Sequence, residues 1–119
     1  FTYIQGLYNY CLTGRFFVEV PPVEGGCDEW ELNYAITKHE RFLERLGEPE
    51  PKSDPGGYYA GTLKQLGYLL KKRGDYRESL EAFKKLKEFS RKRKTESLYR
   101  YEFDVVMPKL QQLLKEIQK

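Results

Sequence analysis

Apolar residues recur at steps of three and four along most of this chain, a spacing that predicts amphipathic helices rather than strands. The first such stripe occupies residues 1–13 and stops before Gly14. A second begins after Asp28, which is placed to form a capping box with Glu31, and it ends before Gly47. The apolar face of this second helix comprises Leu32, Ala35, Ile36, His39, Phe42, Leu43 and Leu46.

Two stretches interrupt the helical pattern. Residues 15–27 hold consecutive β-favouring side chains, followed by Pro21-Pro22 and Gly25-Gly26, so we expect an irregular inserted connection with room for a short strand. The second interruption, Gly47 with residues 48–57, has three Pro and three Gly in eleven residues. That composition predicts a loop and the best candidate boundary within the chain.

A helical hairpin is predicted after this loop. Its first helix extends over about residues 58–73, and Gly74 can take the left-handed conformation that ends it. Asp75 is expected to cap the next helix, with Glu78 in the reciprocal position. So short a turn places the two helices antiparallel. The buried faces are predicted to hold Tyr59, Leu63, Leu66 and Leu70 on the first helix, and Tyr76, Leu80, Phe83 and Leu86 on the second.

A last helix carries the apolar residues between Leu98 and Ile117, and Thr95 is its expected cap. Pro108 interrupts this pattern. Because proline has no amide hydrogen and clashes with the preceding turn, we expect a kink or break near Val106.

Residues 60–93 combine the length of a helix–turn–helix unit with small residues, Gly67 and Ser79, at two points where its helices can cross closely. The further matching positions are Leu66, Leu70, Gly74-Asp75-Tyr76, Phe83 and Leu86. In length and pattern this hairpin resembles one tetratricopeptide repeat, a unit of about 34 residues.

The resemblance has consequences for the whole chain. Gly14-Arg15-Phe16 echoes Gly74-Asp75-Tyr76 and indicates a degenerate first copy that contains the insertion at 15–27. The resemblance implies a single all-α domain, residues 1–119, of antiparallel hairpins stacked as a short right-handed superhelix. Its parts would be a degenerate hairpin at 1–47, a loop at 48–57, a hairpin at 58–94 and a capping helix at 95–119.

The same resemblance implies a binding site. First helices in this family line a concave groove that receives peptides, which assigns that role to Lys64, Tyr68, Lys71 and Lys72, with Tyr8 in the degenerate copy. Three ammonium groups and a phenol suit an acidic peptide segment or a C-terminal carboxylate of a partner protein. The alternative is an ordinary solvated helix face.

Basic residues offer a second candidate surface. Lys84, Lys87, Arg91 and Lys94 follow one edge of the predicted fourth helix and could contact nucleic-acid phosphates without sequence preference. Residues 91–94 also resemble a short nuclear-localisation cluster, although we expect a cytoplasmic protein. A third hypothesis is that the chain is a structural piece of a larger helical solenoid.

Composition excludes several classes of protein. One His and two Cys cannot supply a conventional zinc site, so we expect no metal and no cofactor. No Gly-rich phosphate loop or Gly-x-Ser-x-Gly turn is present, which predicts a non-catalytic protein. No apolar run is long enough to predict a transmembrane helix. Cys11 and Cys27 are compatible with a reducing compartment, and a single disulfide between them is the alternative.

The net charge of +3 conceals two unlike halves. Residues 1–57 carry a net charge of −5, and residues 58–119 carry +8. Either the halves neutralise each other within the fold, or the basic half binds an acidic ligand.

Overall fold

The computed structural model describes residues 2–13, 27–50, 53–54 and 57–117, and all regular secondary structure in these ranges is helical. The all-α class is therefore confirmed for this part of the chain. The inserted segment and its predicted strand lie almost wholly outside the described residues. The five α-helices are α1 (Thr2–Thr13), α2 (Glu29–Leu46), α3 (Tyr58–Arg73), α4 (Tyr76–Arg93) and α5 (Met107–Ile117).

Most predicted helix ends are confirmed by the backbone. Gly47 has φ 68° and donates its amide hydrogen to the Leu43 carbonyl at 2.9 Å. Gly74 has φ 94°, and its amide reaches the Lys71 carbonyl at 3.1 Å. At the start of α2, the Asp28 amide donates to Glu31 Oε1 at 3.0 Å, as a capping box requires.

Asp75 is the N-cap residue of α4, as predicted, but the expected side-chain hydrogen bond is absent. Its side chain makes no capping hydrogen bond to α4, because the carboxylate instead pairs with Nε of Arg73. The same guanidinium lies 3.9 Å from Glu78, the expected reciprocal partner. One arginine at the end of α3 thus attracts both carboxylates that were expected to cap α4.

The N-terminus of α3 is capped by Asp54 from the preceding loop. Asp54 is 2% exposed, and its two carboxylate oxygens accept the amides of Tyr59 at 2.9 Å and Ala60 at 3.2 Å. Arg93, at the end of α4, donates to the Asp54 carbonyl at 2.9 Å and lies 3.2 Å from its Oδ2. Asp54, in the loop predicted from proline and glycine, is therefore bonded to the first turn of α3 and to the last turn of α4.

The α3–α4 hairpin is antiparallel and closely packed. The rings of Tyr59 and Phe89 lie 4.8 Å apart between centroids, and those of Tyr68 and Phe83 lie 5.2 Å apart. A Cβ on Gly67 would approach the Phe83 ring to 2.7 Å, so only glycine fits there without a shift. The Ser79 hydroxyl also donates to the backbone carbonyl of this glycine at 2.6 Å.

Helix α1 runs parallel to α3 and antiparallel to α2. Gln5 bonds to Gln65, and further along both helices the Lys72 ammonium donates to the Cys11 carbonyl. The Tyr3 hydroxyl lies 2.8 Å from that of Tyr34 on α2. At the other end of α1, Cys11 is joined to Cys27 in a disulfide, the alternative that the sequence left open.

Two apolar cores share α3. The hairpin core lies between α3, α4 and the C-terminal helices, and includes Leu63, Leu80, Phe83, Leu86, Phe89, Phe103, Val106 and Leu110. The N-terminal core lies between α1, α2 and α3, and includes Cys11, Leu32, Ala35, Ile36, Leu66, Leu69 and Leu70. Because α3 packs on two sides, Leu69 is fully buried although it lies off the predicted stripe.

The irregularity predicted near Val106 is present as a π-helical turn, and the chain is helical on both sides of it. A 3₁₀ helix (Glu96–Tyr99) and a π-helical turn (Glu102–Val106) precede α5, and the Met107 amide bonds to the Glu102 carbonyl. The wider turn accommodates a proline at the start of the following helix. Thr95, the expected cap, makes no side-chain capping hydrogen bond. None of the described helices has the length and apolar character needed to cross a membrane.

Candidate functional site

A cavity of about 480 Å³ opens between α1, the first half of α3 and the segment that joins α4 to the 3₁₀ helix. It brings together Tyr8 and Lys64, two of the five residues predicted to bind a peptide. Its walls also include Gln5, Gln65, Arg93, Thr95, Leu98 and Tyr99. Apolar, aromatic, amide and cationic groups therefore converge on one opening, as in typical ligand sites.

Lys64 is the cation in this cavity that is available to a ligand. It is half-buried and makes no ion pair with the described residues. The other cation in the wall, Arg93, is held by Asp54. An incoming carboxylate would therefore meet Lys64 without having to displace an internal partner.

Tyr68 is engaged within the fold. Its hydroxyl donates to Oε2 of Glu102, a carboxylate only 7% exposed in the π-helical turn, at 2.7 Å. Burial is the main cause that raises the pKa of Tyr68 well above its usual range, and this hydrogen bond is the second. Burial and the charge of Glu102 also raise the pKa of Tyr8. Both phenols thus remain protonated donors at neutral pH.

The other two predicted groove lysines lie outside the cavity wall. Lys72 donates to the carbonyl of Cys11 and so ties α3 to the end of α1. Lys71 is half-buried on α3 and does not line the cavity. The predicted groove is therefore divided: Tyr8 and Lys64 face the cavity, Tyr68 contacts Glu102, and Lys72 contacts α1.

A polar network behind the cavity was missed by the sequence analysis. His39 is 0% exposed, with Nδ1 2.7 Å from the Ala35 carbonyl and Nε2 3.0 Å from Oε1 of Gln65. The Gln65 amide nitrogen donates in turn to Oε1 of Gln5. Burial lowers the pKa of His39, opposed by these two hydrogen bonds. The one available signal was Gln65 itself, a polar residue among the apolar residues of α3.

The basic edge of α4 forms a separate, shallow site. Lys84, Lys87 and Arg91 line one depression of about 290 Å³ together with Glu88. The Lys87 ammonium lies 5.9 Å from the centre of the Phe103 ring. The fourth predicted residue, Lys94, lies beyond this depression, at the left-handed position that ends α4.

Aromatic side chains are exposed on the outer face of the N-terminal helices. Trp30 is 68% exposed, and Tyr3 and Tyr34 are also exposed. The Lys38 ammonium lies 5.3 Å from the centre of the Tyr34 ring.

Within the described ranges, no group of three His, Cys, Asp or Glu residues is placed to hold a metal ion. Comparisons with protein-family models, with curated proteins and with solved structures found no match to this chain.

Proposed function

We propose that this protein is a non-catalytic interaction module that binds an acidic or C-terminal peptide segment of a partner protein in the cavity beside α3. The observation that carries the proposal is the Lys64 ammonium, which has no ion-pair partner among the described residues, inside a cavity walled by Tyr8 and Tyr99. A lysine donates up to three hydrogen bonds to a carboxylate, and aromatic walls accommodate the stem of a side chain. The volume suits one to three residues of a ligand.

A tetratricopeptide-like arrangement is part of this proposal. Support comes from two antiparallel helix pairs, from α1 running parallel to α3, and from the close crossing of Gly67 with Phe83. In such a stack the cavity would lie on the face lined by the first helix of each pair. Of the residues assigned to that face, Tyr8 and Lys64 are the ones we place in direct contact with ligand.

The test is a screen of the full chain against randomised acidic hexapeptides with either a free or an amidated C-terminus. Lys64→Glu should reduce affinity for selected peptides at least tenfold, because it replaces attraction by repulsion at the site. Lys71→Glu is the matched control, since it makes the same charge change on α3 outside the cavity wall. Circular dichroism should report the same helix content for both variants.

The pair of variants separates three outcomes. Loss of binding in Lys64→Glu alone supports the cavity. Equal loss in both variants contradicts the cavity and favours a wider groove that follows the whole face. Unchanged binding in both, or no selected peptide at all, overturns the proposed function.

Nucleic-acid binding through α4 is the second candidate, favoured by the convergence of Lys84, Lys87 and Arg91 on one depression. Affinity for mixed-sequence RNA and DNA should then fall steeply between 50 and 200 mM salt. The double variant Lys84→Glu, Arg91→Glu should lower the slope of the logarithmic salt dependence by about 2, whereas Lys64→Glu should leave it unchanged. No binding at 50 mM salt would exclude this function.

A further inference from the structure

The protonation of one nitrogen of His39 is dictated by its partner. Nδ1 lies 2.7 Å from the backbone carbonyl of Ala35, which can only accept a hydrogen bond. Nδ1 must therefore carry its hydrogen whenever this contact is made. The charge of the ring is then decided at the other nitrogen, Nε2.

The orientation of Gln65 is coupled to that charge. With Oε1 of Gln65 3.0 Å from Nε2, both ring nitrogens face acceptors, and only the doubly protonated imidazolium satisfies both. The neutral ring has a lone pair at Nε2 and needs a donor there. A half-turn of the Gln65 carboxamide supplies that donor with almost no change of shape.

The half-turn propagates to Gln5. In the imidazolium state the Gln65 nitrogen donates to Oε1 of Gln5. Once Gln65 has turned, its oxygen faces Gln5, so the Gln5 amide must turn as well and donate. That turn withdraws the Gln5 nitrogen from Oδ1 of Asn9, to which it donates at 3.4 Å in the imidazolium state. The chain of amides thus has a direction, and His39 sets it.

Burial and two hydrogen bonds set the direction in which the pKa of His39 is shifted. Burial lowers the pKa of His39. The hydrogen bonds to Ala35 on α2 and to Gln65 on α3 raise it. From α1, Gln5 reaches the ring only through Gln65. The titratable groups that share the cavity with the two amides are Tyr8, Lys64, Arg93 and Tyr99.

Both amides line the cavity, so their direction is part of the surface that a ligand meets. We propose that His39 is a pH switch for this cavity: protonation of the ring reverses the Gln65 and Gln5 amides and adds a buried positive charge, which strengthens carboxylate binding. The regulatory part of this inference rests on the proposed peptide-binding function. By linkage, a bound carboxylate must in return favour the protonated ring.

The switch is tested first without a ligand. His39 is the sole histidine, so ¹⁵N-labelled protein gives a single imidazole in long-range ¹H–¹⁵N spectra. At pH 8 we expect a proton on Nδ1 alone, and at low pH a proton on both nitrogens, with a midpoint below 6.5. The side-chain amide signals of Gln65 and Gln5, assigned with Gln65→Met and Gln5→Met, should shift with the same midpoint.

Three results would overturn the switch. One is a neutral ring protonated on Nε2, and another is a pair of amide signals that do not follow the ring. The third is loss of the helical circular-dichroism signal at the same midpoint, because protonation would then unfold the chain rather than turn its amides. None of these results depends on whether a peptide binds.

The regulatory consequence is tested with the tightest hexapeptide from the screen. Its affinity should rise about threefold or more as the pH falls through the measured midpoint, the size expected for one added charge in a partly solvated site. In Gln65→Met, whatever its absolute affinity, the ratio of the peptide affinities measured below and above the midpoint should fall towards one. Binding that is insensitive to pH in the unaltered chain would refute the regulation and leave the proposed function intact, whereas absence of binding would refute only the function.

Discussion

The α3–α4 hairpin and the α1–α2 pair are held in the same fold by different kinds of contact. In the hairpin, direct ring packing such as Tyr68 against Phe83 joins helices separated by a turn of two residues. The α1–α2 pair adds to its apolar core a disulfide and polar links to α3, including the Gln5–Gln65 and Cys11–Lys72 hydrogen bonds. Sequence distance accounts for this difference.

Contacts within the hairpin close short loops, whereas those two links to α3 join residues 60 and 61 positions apart. Closing a longer loop loses more chain entropy, although the increase is slow. A covalent link and buried hydrogen bonds offset that loss where apolar packing is smaller. We therefore expect α4 amides to exchange only through global unfolding, and α1 amides to exchange through local opening.

Phe83→Ala should have the largest effect. Phe83 is fully buried against Gly67 and Tyr68 at the centre of the hairpin core, and truncation should lower the free energy of unfolding by about 3–5 kcal/mol. Urea unfolding gives the value. The matched control is Trp30→Ala on the exposed face of α2, where we expect a change within about 0.5 kcal/mol. A similar loss in both variants would remove the distinction between the two regions.

Reduction of the Cys11–Cys27 disulfide should come next. The bond spans 16 residues, and losing it should lower the free energy of unfolding by roughly 3 kcal/mol. Hydrogen exchange should accelerate in α1 and the first turn of α2 more than in α4. The double variant Cys11→Ala, Cys27→Ala should be insensitive to reductant.

The same experiment bears on the compartment. Disulfides persist mainly in oxidising compartments, so the cytoplasmic expectation depends on whether this pair is oxidised in the native protein. A thiol assay on denatured, unreduced protein purified under oxidising conditions should find no free cysteine. Two free thiols would contradict the pairing and favour the reducing compartment.

Asp54→Ala should have an intermediate effect. It removes the acceptor for two amides of α3 and the carboxylate that pairs with Arg93, although the backbone carbonyl of residue 54 still accepts from Arg93, so we expect a loss of about 2 kcal/mol in the free energy of unfolding. Glu50→Ala changes an exposed acid in the same loop and should cost less than 0.5 kcal/mol. Equal effects would show that Asp54 does not anchor the hairpin.

The smallest effect is that of pH on stability through His39. Burial lowers the pKa of the folded-state ring below its unfolded value of about 6.5, so the unfolded chain binds the proton more tightly. The contribution of His39 to the free energy of unfolding is therefore fully present above pH 6.5, and it is lost as the pH falls towards the lowered pKa. We expect the free energy of unfolding to fall between pH 7 and pH 5.5, and no such fall in His39→Gln. A loss of equal size in His39→Gln would assign it to other groups.

Much of the secondary structure follows from local signals. Gly47 and Gly74 end their helices because only glycine readily takes the left-handed backbone found there. Pro108 has no amide hydrogen to donate, so it disturbs the helical hydrogen bonding before α5, where the π-helical turn lies. Asp75 shows the limit of such signals: a capping carboxylate is available to any nearby cation, and Arg73 lies two residues away.

The candidate site was predictable only in part. Tyr8 and Lys64 were chosen through a family resemblance, and the cavity brings them together. Gln5, Gln65 and His39 form their network across three helices, and no local pattern encodes that meeting. Asp54 was overlooked for a similar reason, because an acid in a Pro- and Gly-rich loop is ordinarily solvent-exposed.

The sequence by itself determined the approximate ends of α2, α3 and α4, since periodicity, glycine and proline act through neighbouring residues, whereas α5 begins later than the pattern predicted. It also determined the close crossing of α3 and α4, because the turn at Gly74 and the absence of a side chain at Gly67 leave one way to pack Phe83. Only the tertiary structure decided which polar groups meet. Burial on two sides of α3 places His39 and Gln65 where each must find a partner away from water, and that requirement acts between residues that lie far apart in the sequence.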